Sequence, residues 1–123
     1  MTSQSVKNPV LLRFADMADL PLEVAEKYSH LCSSAVEEFI PRIKGVPDAV
    51  QVEKLRNLFA ASAYHRYCCL NMARQQYTQL SLSDVTVRNN AKESCEAALQ
   101  LKNMLLEDCA DILSASSRPL KTI

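Results

Sequence analysis

Between residue 48 and about residue 79 the sequence carries one unbroken helical pattern. Val52, Leu55, Leu58, Phe59, Ser62, Ala63, Arg66, Tyr67, Leu70 and Ala73 mark a period near 3.6 residues. Some thirty residues make about 45 Å of helix at ~1.5 Å each. The chain has 123 residues, one domain's worth. An element of that length must run the whole span of so small a domain, with one end expected to project or bend. Every other segment has to be packed around it. Asp48 is placed to cap its first turn, where exposed N–H groups favour an acidic side chain.

The flanking segments read as helices too. Residues 1–8 look like a flexible polar N-terminus. Asn8 followed by Pro9 has the form of an N-cap with proline at the first helical position, opening a short helix with Val10, Leu11, Phe14 and Met17. Pro21 disfavours helix at Leu20 and suits the start of the next one. Over residues 22–40, Val24, Ala25, Tyr28, Leu31, Cys32, Ala35, Val36, Phe39 and Ile40 recur at steps of three and four, a single stripe. Pro41 ends it, and "PRIKGVPD" is the loop into the long helix. Asn89 or Asn90 is expected to cap the last helix, striped with Ala91, Cys95, Ala98, Leu99, Leu105, Leu106, Cys109, Ile112 and Leu113. Residues 9–113 thus form one helical domain, and 114–123 a flexible tail.

One stretch breaks the pattern. In "QLSLSDVTVRNN" the apolar Leu80, Leu82, Val85 and Val87 alternate with polar residues, as in a strand. A lone strand cannot satisfy its own backbone groups, and no second strand-forming segment is evident, so its partner is expected on another chain. The fold class predicted is therefore all-α. It is a small helical bundle of a short N-terminal helix plus three longer helices, with one short strand-like segment before the last helix.

Composition excludes several functions. Gly45 is the only glycine, so neither GxGxxG nor GxxxxGK[ST] exists, and phosphate cannot be cradled by close backbone N–H groups. Fourteen basic residues balance fourteen acidic ones, whereas proteins that bind nucleic acid directly usually carry a basic excess. Sequence-specific nucleic-acid binding is not expected. The N-terminal apolar run is too short for a membrane span and has no signal-peptide cleavage pattern, so a cytoplasmic protein without membrane attachment is expected. Five cysteines, an odd number, fall on helix faces and read as free thiols rather than a disulfide framework.

The most reactive-looking segment is "AYHRYCCLNMA". His65 and Cys69 stand four apart, as metal-ligating pairs do, but the sequence offers no third ligand nearby, since His30 is distant. Cys68 and Cys69 diverge by about 100° on a helix. Cys69 therefore reads as a small apolar packer, and no metal, cofactor or small-molecule substrate is expected. A Cys32–His65 nucleophilic pair lacks any mark of an oxyanion hole or orienting third group, so the chain does not read as an enzyme and no catalytic residue is assigned. Glu37 with Glu38, and Glu107 with Asp108, read as solvated faces. Tyr64, Tyr67 and Tyr77 with Arg66 and Arg74 suit a protein interface better than base stacking.

Three segments together, "ASAYHRYCCL" (61–70), "LSDVTV" (82–87) and "AKESCEAALQLKNMLLEDCADIL" (91–113), carry a family likeness. In this order, after a short N-terminal helix, a second helix and a proline loop, the chain resembles the small helical head–tail connector (adaptor) proteins of tailed bacteriophages and prophages. The likeness covers residues 9–113. It departs where Ser83 stands in place of the glycine that often precedes the aspartate.

The resemblance implies a structural virion protein. Such connectors form a ring beneath the portal at the vertex where DNA leaves the capsid, and DNA passes through without sequence readout. The implied partners are further copies of the chain, the phage portal protein, and a downstream stopper or tail-completion protein. The implied location is the virion head–tail interface, assembled in the bacterial host cytoplasm. Leu82, Asp84, Val85, Val87 and Arg118 are the candidate intersubunit or portal contacts. The competing reading is a small helical protein-binding or regulatory module of phage or bacterial origin.

Overall fold

The computed structural model describes the backbone of residues 2–78 and 85–114 and the side chains of 9–74 and 92–114. Among the described residues five α-helices follow one another: α1 (Thr2–Ala18), α2 (Leu22–Ala25), α3 (Ser29–Phe39), α4 (Ala49–Thr78) and α5 (Val85–Asp108). Short 3-10 turns at Glu26–Tyr28 and Ile40–Arg42 link α2 to α3 and extend α3. The all-α class is as expected, and α4 is the central element, packed against α1, α3 and α5.

The middle of α4 shows why. Leu58, Phe59, Ala60, Ala61, Ser62 and Ala63 are all buried, one after another. A helix buried on every side of a turn is surrounded rather than laid on a surface. Small side chains from Ala60 to Ala63 let the neighbours approach. Around them lie Val10, Leu11, Phe14 and Ala15 of α1, Ala25 of α2, Cys32, Ala35 and Phe39 of α3, and Cys109, Ile112 and Leu113 after α5. Tyr67 is held between two rings, Phe14 at 5.7 Å and Tyr28 at 5.0 Å, both edge to face. Phe39 stacks on Phe59 at 6.1 Å.

The termini of the helices are set locally. Asp48 Oδ1 accepts from the Gln51 N–H at 2.8 Å, and Gln51 Oε1 accepts from the Asp48 N–H at 3.0 Å. This reciprocal box satisfies two donors at the start of α4, as the sequence suggested. At the end of α1 the Leu20 N–H reaches Ala15 O at 2.9 Å and the Asp19 N–H reaches Asp16 O at 3.2 Å. That is a Schellman stop, with Asp19 in the left-handed position (φ 57°) that glycine usually fills.

Several expectations are corrected. The first helix begins at Thr2, and Pro9 lies inside it. Pro9 costs that helix one donor, but the N-cap form of Asn8–Pro9 is not used. The stripe over 22–40 is real for Cys32, Ala35 and Phe39, but the helix is broken by the 3-10 turn at Glu26–Tyr28 and Ile40 is exposed.

The strand-like segment is also corrected for the residues described. Val85, Thr86 and Val87 are the start of α5, not a strand, and Asn89 and Asn90 lie within that helix. The physical reason is the one that made a lone strand improbable: a helix satisfies its backbone groups internally. β-Branched residues lower helix propensity by only a few tenths of a kcal/mol each. Unpaired ladder groups cost ~1–3 kcal/mol apiece when buried. Residues 79–84 lie outside the described residues.

Among the described residues the extended pairing is elsewhere. Ile43 and Leu113 form an isolated antiparallel bridge, with the Lys44 N–H on Ile112 O at 2.8 Å and the Ser114 N–H on Arg42 O at 2.7 Å. Arg42 Nη2 adds a bond to Ser114 O at 3.1 Å. The proline loop is thereby fastened to the segment after α5, which leaves the helix at Asp108 rather than at Leu113. Gly45 (φ 65°) then turns the chain back toward α4.

Candidate functional site

Two contacts fix how α4 and α5 run. Cys69 in the second half of α4 meets Cys95 in the first half of α5. Lys54, near the start of α4, acts electrostatically on Cys109, just past the end of α5. The two helices are therefore an antiparallel hairpin. On that hairpin α5 turns Cys95, Ala98, Leu101, Lys102 and Leu105 inward or half inward, and Cys109 just past its end is buried.

Lys102, which the apolar stripe passed over, is turned half inward, whereas Leu99, counted in that stripe, is 41% exposed. The lysine is accommodated because its stem packs while its ammonium is compensated. Its side chain is only 17% exposed, Nζ lies 3.8 Å from Glu38 Oε2, and the charge sits 5.8 Å from the Phe39 ring centroid. Glu38 is thus no simple solvated carboxylate. It also accepts from Arg66 Nη2 at 2.6 Å and from Ser62 Oγ at 3.4 Å, joining α3, α4 and α5.

Beside this network lies a gathering of reactive groups. His65 and Cys69, four apart on α4, present their donor atoms on one face, and His65 Nε2 is 3.5 Å from Cys69 Sγ. Cys95 comes from α5 and sets its Sγ 3.0 Å from Cys69 Sγ. The three donor atoms lie within 4.8 Å of one another, and all three residues are half-buried. Cys95 is the ligand-type residue the sequence reading missed. Its pairing with Cys69 depends on the register of α5 against α4, which spacing along either helix does not reveal.

The electrostatics favour the neutral forms of His65 and Cys95. Burial, then the positive charges of Lys102 and Arg66, lower the pKa of His65 from 6.5, with Glu38 opposing. Burial and the nearby Cys69 thiol push Cys95 up to about 11. A neutral imidazole has a lone pair to give, and a thiol so held is a poor nucleophile unless a cation draws off its proton.

The remaining candidates fall elsewhere. Cys68, one residue before Cys69, hydrogen-bonds Tyr64 and is buried. Cys32 lies in the core, its thiol pushed up to about 11 by burial. Val85 and Val87 belong to the first turns of α5. Leu82, Asp84 and Arg118 lie outside the described residues. A groove of about 480 Å³ beside the Ile43–Leu113 bridge is lined by Arg42, Lys44, Leu106 and Glu107, with no thiol or imidazole.

No helix among the described residues is long and apolar enough to cross a membrane. Comparison with protein families, curated proteins and solved structures finds no match.

Proposed function

We propose that the protein is a structural component of virion assembly, a head–tail connector that forms a ring beneath a phage portal and docks the next tail-proximal component. The observation that carries this reading is the order of elements under the motifs of the resemblance. A first helix, a second helical stretch, a proline loop, a long helix bearing "ASAYHRYCCL" and a final amphipathic helix occur in that sequence.

The roles of the motif residues are consistent with a scaffold. Ala61, Ser62 and Ala63 permit close helix packing, Tyr67 is clamped by aromatic rings, and Arg66 ties α4 to α3. Apolar side chains are also left on the outside around the proline loop. Ile40 and Val50 are exposed and Val46 is 95% exposed. Such positions favour contact with a further copy or a partner. An unpaired strand at 82–87 no longer contributes to the argument, because its last three residues are helical.

The test is to mix the purified chain with isolated portal rings and image them by electron microscopy. Added ring-shaped density on the tail-side face is expected. Bare portal rings, together with a chain that stays monomeric by light scattering at every concentration, would leave the reading without support.

A further inference from the structure

We propose that His65, Cys69 and Cys95 form a binding site for a single thiophilic d10 cation, of which Zn²⁺ is the natural probe, clamping α4 to α5. The proposal is independent of the connector reading.

The donor set is the first argument. One imidazole and two thiols, from residue types that ligate zinc, converge from two helices with their donor atoms within 4.8 Å of one another. A tetrahedral ion at ~2.3 Å from sulfur and ~2.0 Å from nitrogen sets an N and an S about 3.5 Å apart and two sulfurs about 3.8 Å apart. His65 Nε2 and Cys69 Sγ already stand at 3.5 Å. The two sulfurs, at 3.0 Å, must open by somewhat less than ~1 Å, which small side-chain rotations on two separate helices supply.

The surroundings are the second argument. All three residues are half-buried, so a bound ion is partly shielded from water, and three protein donors leave the fourth tetrahedral position to water or an incoming group. A disulfide between Cys69 and Cys95 would use the sulfurs alone and give the imidazole no part. The imidazole on the same helix face, four residues from one of the thiols, is what an ion requires and a disulfide does not.

Binding is balanced by proton release. Each thiol gives up its proton to solvent as its sulfur becomes a thiolate ligand, and the imidazole binds through the lone pair of its unprotonated nitrogen. No electron is transferred.

The test uses the full chain, reduced and stripped with a chelator, titrated with Zn²⁺ against a chromophoric competitor. One ion per chain and a raised melting temperature are expected. His65→Ala, Cys69→Ser and Cys95→Ser should each weaken binding by more than about 100-fold, beyond the ~10–100-fold typical of losing an outer hydrogen-bond partner. Cys68→Ala, which removes a thiol that is not among the three clustered donors, should bind as the parent does. Co²⁺ in the unmutated chain should give an intense thiolate-to-metal absorption, a readout that does not depend on any variant folding. No zinc uptake by the reduced chain overturns the proposal. So does uptake unaffected by His65→Ala and Cys95→Ser, or a cobalt spectrum without thiolate character.

Discussion

Arg66 Nη2 donates to Glu38 Oε1 across 2.6 Å, joining α4 to α3. Lys102 reaches the other carboxylate oxygen from α5, so one acidic side chain holds three helices. Both partners of the Arg66–Glu38 pair remain more than a third exposed, which places the contribution among partly screened ion pairs. Glu38→Gln is expected to cost about 0.5–1 kcal/mol at low ionic strength and less in high salt. Urea unfolding at two salt concentrations measures it. A loss that does not change with salt would mean that packing, not charge, is what Glu38 supplies.

Leu58 and Leu99 separate the true core from the stripe suggested by pattern alone. Leu58 is fully buried in the crowded middle of α4, and Leu99 is 41% exposed on α5. Leu58→Ala should cost ~2–5 kcal/mol through lost burial and a residual cavity. Leu99→Ala should change stability by less than ~1 kcal/mol. Chemical denaturation of the two variants side by side decides the matter. A Leu99 effect as large as the Leu58 effect would show that α5 turns a different face to the core.

The two left-handed residues are expected to respond in opposite directions. Asp19 holds φ 57° at the stop of α1, and Gly45 holds φ 65° after the Ile43–Leu113 bridge. Asp19→Gly relieves a side chain from a conformation costing L-residues ~1–2 kcal/mol, offset by the greater freedom of unfolded glycine. A net gain of about 0.5 kcal/mol is expected. Gly45→Ala meets no atom within 4 Å, so only backbone strain opposes it, and a loss of ~1 kcal/mol is expected. Denaturation midpoints with unchanged slopes check both.

What could be read from the sequence was local, and what could not was relational. The Asp48–Gln51 box, the Cys32–Ala35–Phe39 stripe and the long α4 follow from spacing and capping chemistry along one segment. The inward place of Lys102 depends on a carboxylate supplied by α3, which periodicity on α5 cannot see. The Ile43–Leu113 bridge joins segments far apart in the chain. The His65–Cys69–Cys95 group required the register of two helices, whereas the pair on α4 alone argued against a metal. At Val85 local propensity pointed to a strand, and backbone satisfaction favoured the helix.

Alkaline pH should destabilise the fold through its buried thiols. Cys32 is 2% exposed in the core, and burial raises its pKa from 9.0 to about 11. Because the unfolded chain ionises this thiol first, its contribution to stability is complete below about pH 9 and is lost as pH rises through about 11. Cys68 and Cys109 are shifted in the same direction, also by burial, and steepen the decline. The Cys32 share approaches ~2–3 kcal/mol at the upper end of that window. Unfolding free energies measured with reductant from pH 8 to about 10.5 should fall steadily in the parent. In Cys32→Ala, which starts lower because it leaves a small cavity, the decline should be shallower. Parallel curves for the two proteins would show that Cys32 ionises as readily folded as unfolded, and that the core around Phe14 and Phe39 admits water.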